Sequence, residues 1–138
     1  MRLLQGIASL LAGFVLLPVL MWTGLFVIGA VWPELLGPMP AANAAEAAPS
    51  PSFMGVNLGL TIVMASLSAA VAARLAPAPP YLWVLLLAFL VFAGGLVFGI
   101  QQVGGPAPTW YLLALPMTSG LAIAGGGWAY LRWRAADE

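Results

Sequence analysis

Four long apolar runs, at about 7–32, 54–73, 80–102 and 109–131, contain no Asp, Glu, Lys, Arg or His. Each is close to the ~20 residues that, at about 1.5 Å rise per residue, cross a hydrocarbon layer about 30 Å thick. The runs predict an all-α integral membrane four-helix bundle, antiparallel and up-down. A single transmembrane domain over 1–138 would hold helices of about 7–32, 54–75, 80–102 and 109–132. An Ala/Pro-rich extracytoplasmic loop, 33–53, would join the first two.

Composition removes many function classes. Hydrophobic residues make up 63% and charged residues 6%, against about 25% charged in globular domains, so no separate soluble domain is expected. Four arginines balance four acids, leaving no basic field to attract nucleic acid. Cysteine and histidine are absent and all four cations are arginine. That excludes disulfides, thiolate metal sites, histidine-held haem or chlorophyll, and a Schiff-base lysine.

Charge also orients the runs. Arg2 precedes the first, Arg74 ends the second, and Arg132 and Arg134 end the fourth, while the connections 33–53 and 103–108 carry no Lys or Arg. With both termini cytoplasmic, every arginine lies inside, as the positive-inside rule expects. The predicted orientation is N-in/C-in, in a bacterial inner membrane. Aromatic residues give the same depths: Trp32, Phe53, Trp110 and Tyr111 at the outer interface, and Tyr81, Trp83, Trp128, Tyr130 and Trp133 at the inner. Only Trp22 falls inside a span. A competing reading cleaves a signal peptide after Ala44, within Ala41–Glu46. A signal core is usually about 7–15 residues; the first run is far longer, so a retained helix is expected.

Small and kinking residues mark where helices meet. Pro18 sits inside the first helix and Pro116 inside the fourth, each removing a backbone hydrogen bond. Gly55 and Gly59 are spaced for close helix approach, followed by Ala65, Ala69 and Ala73. Gly95 and Gly99 form a second such pair, and Gly120, Ala124 and Gly125–Gly127 line the fourth helix. The triplet has two readings: contact with the first helix within the chain, or a close crossing with a partner. The short proline-rich turn Ala76–Pro80 predicts that the second and third helices are neighbours.

Chemistry-bearing groups are few. Small four-helix multidrug exporters hold a carboxylate in their first helix; none lies in any run here, which argues against proton coupling. Asn57, Thr61, Gln101, Gln102 and Trp110, with Thr109, fall toward the outer ends of three helices. They could form a polar mouth or meet a quinone or lipid, or simply face water and headgroups. Pro116 with Thr118 and Ser119 could mark a hinge or a place where a ligand meets freed carbonyls; a tolerated kink is the plainer account. The serines have no base partner and the four carboxylates lie outside the spans. No catalytic set, metal site or cofactor is expected.

The order of features resembles a widespread group of small, uncharacterised bacterial inner-membrane proteins with four helices. The likeness lies in Leu10–Phe14, in Ala72–Pro77 closing a small-residue second helix, and in Pro108–Tyr111 before a glycine-rich final helix ending in arginine. It implies the fold and an inner-membrane location, and it carries no activity. The expected protein is a non-catalytic accessory or assembly subunit, partnered by the lipid bilayer and a larger membrane protein complex. The alternative is a carrier for a neutral lipophilic small molecule such as a quinone, carotenoid or lipid.

Overall fold

The computed structural model describes residues 1–37 and 48–137. Pro38, Pro40, the cleavage-like Asn43-Ala44, Glu46 and Glu138 lie outside the described residues. Every described element is helical: α1 (Arg2–Val31), α2 (Pro33–Leu36), α3 (Pro51–Leu75), α4 (Pro80–Gln101) and α5 (Thr109–Asp137). Among the described residues, four helices (α1, α3, α4 and α5) are long and apolar enough to cross a membrane. That points to a multi-pass membrane protein in a lipid bilayer.

Local chemistry sets the ends. α3 begins at Pro51, ahead of the expected start, because Ser50 caps it: its Oγ accepts the Phe53 N–H at 3.1 Å, with proline in the first turn. The same hydroxyl donates to the Leu36 carbonyl at 3.5 Å, tying the end of α2 to the start of α3. α2 is one turn, opened by Pro33 where the extracytoplasmic loop was expected to start. α3 stops before Pro77, whose ring cannot continue a helix. α1 and α5 run unbroken through Pro18 and Pro116.

α5 packs along both α3 and α4, and α1 packs along α3 with a smaller contact to α4. α1 and α5 do not touch among the described residues, so Gly125–Gly127 does not meet the first helix. Its partners are α3 and α4. α3 and α4, joined by the tight turn, also touch, though over a smaller contact than either makes with α5.

The interior is built mainly from small side chains. Ala65, Ala69, Ala72 and Ala73 of α3 meet Val84, Leu87 and Ala88 of α4 and Ile123 of α5. Small residues let backbones approach, which is how helices associate where lipid is as apolar as leucine. Large side chains mostly point outward: Trp22 and Phe26 of α1 are 76% and 77% exposed. In a bilayer such faces meet acyl chains rather than water.

Candidate functional site

Among the described residues, side-chain hydrogen bonds join only some of the polar residues expected at the outer helix ends. Asn57 Nδ2 donates to the Tyr111 hydroxyl at 2.6 Å, linking α3 to α5. One turn along, Thr61 Oγ1 donates to the Asn57 carbonyl at 2.7 Å and also faces Met21 Sδ of α1 at 3.8 Å. Trp110 is exposed and meets the Tyr111 ring edge-on, centroids 5.8 Å apart. Gln101 and Gln102, the last residue and C-cap of α4, are exposed, and among the described residues no hydrogen bond joins their side chains to this group. Asn57, Thr61 and Tyr111 thus make an internal bond set.

Tyr111 is the residue the sequence placed least well. As an aromatic near a helix start it reads as an interfacial ring, yet it is only 5% exposed. Its hydroxyl serves Asn57, and a buried tyrosine O–H generally finds such a partner. Its position two after Thr109, one step round the helix from exposed Trp110, was the available signal.

Pro116 and the second glycine pair are one construction. Proline at 116 leaves the Leu112 carbonyl without its helical N–H. Gly99 packs on that oxygen: a Cβ at 99 would lie 2.8 Å from it. A Cβ at Gly95 would lie 2.9 Å from Pro116 Cβ, and one at Gly120 would lie 3.1 Å from Phe92 Cβ. Ser119 Oγ lies 2.9 Å from the Leu115 carbonyl and 3.1 Å from that of Pro116. The freed carbonyl therefore faces the α4 backbone at Gly99, and among the described residues Thr118 adds no bond to it.

The remaining packing residues divide sharply. Ala65 and Ala69 are fully buried, and Ala124 packs against the core's edge. Gly126 abuts the Ser66 backbone and Gly127 abuts Val84. A Cβ at Gly55 or Gly59, by contrast, would meet nothing within 4 Å among the described residues, and the same holds for Gly94 and Gly125. The first glycine pair therefore makes no close helix contact among the described residues.

Sequence reasoning passed over the face of α1 formed by Gly6, Gly13 and Gly24. Trp83 packs on Gly6, Leu87 on Gly13 and Leu60 on Gly24. Spacings of seven and eleven residues bring all three to nearly one side of a 3.6-residue helix, a signal that was present. Ser68 Oγ donates to the Gly13 carbonyl at 2.6 Å, and Ser66 Oγ lies 3.2 Å from the Ala122 carbonyl. Every buried side-chain nitrogen and oxygen among the described residues has a partner.

Among the described residues, no three acidic side chains come together as a metal-ligand group. One apolar groove of about 270 Å³ lies between α4 and α5, lined by Ala88, Phe89, Phe92, Met117, Gly120 and Leu121. No family model matches the chain, and neither does any curated protein or solved structure.

Proposed function

We propose that the chain is a non-catalytic accessory or assembly subunit that packs laterally on a larger complex in a bacterial inner membrane. The observation that carries this is the split among its helical glycines. Those facing inward, such as Gly13, Gly99 and Gly126, each receive a neighbour's atoms, whereas Gly55 and Gly59, spaced four apart, are exposed and meet no neighbour among the described residues. A glycine inside a helix sacrifices about 1 kcal/mol of propensity against alanine, and a close helix contact is what offsets that loss. Affinity purification in mild detergent tests the idea. A defined membrane protein should co-purify with the natural sequence and be lost with Gly55→Leu/Gly59→Leu. A lone monomer from native membranes overturns it.

The proposed arrangement is up-down, antiparallel and N-in/C-in. Supporting it, Gln5, Gly13 and Gly24 of α1 meet Leu75, Ser68 and Leu60 of α3, in reversed order. On α4, Val84, Gly95 and Gly99 likewise meet Gly127, Pro116 and Leu112 of α5 in reverse. The chain has no cysteine, so a single introduced thiol reports side. Ala48→Cys should react with an impermeant maleimide in intact cells, and Ala136→Cys only after permeabilisation. The opposite pattern inverts the orientation.

The groove between α4 and α5 favours a second reading, a carrier of a neutral lipophilic molecule seated against Phe89, Phe92 and Met117. Organic extraction of the purified protein that yields bulk phospholipid alone would end this version.

A further inference from the structure

At the ends of α3 and α5 far from the Asn57–Tyr111 bond, five residues line an open cavity of about 430 Å³. Arg74 comes from α3; Tyr130, Trp133, Arg134 and Asp137 come from α5. Tyr130 and Trp133 form one aromatic wall, their rings 6.2 Å apart and tilted by 49°. Among the described residues Arg74 has no ion pair or hydrogen bond. Arginine near a helix C-terminus complements the helix dipole. That explains either cation singly, and Arg134 also has an interaction of its own; neither explains why Arg74, from a second helix, shares the cavity with a carboxylate and two rings.

We propose that this cavity seats the headgroup of a zwitterionic phospholipid carrying a primary ammonium. Its phosphate lies between Arg74 and Arg134, and its ammonium lies toward Asp137 and the faces of Tyr130 and Trp133. Guanidinium groups bind phosphate oxygens bidentately, aromatic faces attract ammonium, and basic pockets between membrane helices hold headgroups. Asp137 decides between headgroups: it would repel a purely anionic one and is complementary to one that also carries a cation. The inference rests on the membrane-spanning reading, but not on any protein partner.

Native mass spectrometry of the full chain, released from micelles holding phosphatidylethanolamine and phosphatidylglycerol with matched acyl chains, tests it. Phosphatidylethanolamine should be retained in preference. Arg74→Gln should reduce that retention about fivefold, the factor corresponding to ~1 kcal/mol per arginine at a lipid surface. Asp137→Asn should lower phosphatidylethanolamine retention and raise that of phosphatidylglycerol. Arg132→Gln is the control, since Arg132 lies 5.1 Å from the Trp128 ring and does not line the cavity. Preference for phosphatidylglycerol, equal retention of both lipids, or an equal loss with Arg132→Gln would each overturn the proposal. Displacement of the lipid by soluble O-phosphoethanolamine would also overturn it, assigning the cavity to a soluble phosphate ester. A chain found in membranes without this preference fails here alone; a chain absent from membranes fails the proposed function as well.

Discussion

Gly125 and Gly126 are adjacent in sequence, and alanine at the two positions should change stability in opposite directions. A Cβ at 126 would lie 2.6 Å from Ser66 Cα and 2.7 Å from Ser66 Cβ, whereas at 125 it would meet nothing within 4 Å. Carbon atoms pack comfortably at about 3.5–4.0 Å, so Gly126→Ala forces α3 and α5 apart locally by roughly 1 Å. The Ser66 hydroxyl, 3.2 Å from the Ala122 carbonyl, then moves beyond hydrogen-bond reach. Overpacking of this kind costs about 1–3 kcal/mol, and an interhelical bond in a membrane protein contributes about 0.6 kcal/mol. Alanine's helix propensity returns at most ~1 kcal/mol. The net expectation is a loss of about 1–3 kcal/mol for Gly126→Ala and a gain of up to about 1 kcal/mol for Gly125→Ala. Reversible unfolding of the purified monomer in mixed micelles, titrated with sodium dodecyl sulfate and followed by helical circular dichroism, reads both values. A Gly126→Ala protein as stable as the parent, or a Gly125→Ala protein weakened equally, would refute the α3–α5 contact as drawn.

Three further perturbations probe the other joints. In a double-mutant cycle, Asn57→Ala and Tyr111→Phe should couple by about 0.6–1.7 kcal/mol, given the 2.6 Å bond between them; strict additivity in the same titration would deny that bond. Ser68→Ala should cost about 0.5–1.5 kcal/mol, since its hydroxyl is fully buried on the Gly13 carbonyl, and unchanged stability would argue against that α1–α3 bond. Gly6→Ala should displace the Trp83 ring that packs there and alter protease cleavage near the start of α1. An unchanged cleavage pattern would show that α1 is held without that contact.

The spans were legible because one quantity, an uncharged apolar length, decides them. Residues 80–102 were read as a helix, and α4 runs Pro80–Gln101. The partners of each helix were less legible. Gly55–Gly59 and Gly95–Gly99 have the same spacing, yet one pair faces open space and the other packs on α5. The spacing says that a close approach is possible; it does not say what approaches. The bonding within the polar group was illegible for a related reason. A shared depth at the helix ends does not say that Asn57 bonds Tyr111 across α3 and α5, while among the described residues no side-chain hydrogen bond joins Gln101 or Gln102 to them.

Proline and glycine in α4 and α5 are better understood together than as separate helix breakers. Pro116 removes a donor that the Leu112 carbonyl needs, and in hydrocarbon an unsatisfied carbonyl costs several kcal/mol. Gly99 brings the α4 backbone against that oxygen, where a Cα–H can give a weak bond, and a side chain at 99 would hold the helices apart. Pro116 therefore makes a glycine useful on the facing helix, and Gly95, one turn away, lets α4 settle on the proline ring itself. The same economy recurs where Ser68 donates to the Gly13 carbonyl, again with a glycine supplying the exposed backbone. These two joints combine a missing side chain on one helix with a backbone carbonyl within reach, whereas Gly6, Gly24 and Gly127 receive only a neighbour's side chain. Gly55 and Gly59 have the missing side chains but no neighbour among the described residues, and it is this unfilled position that the proposed lateral partner would complete.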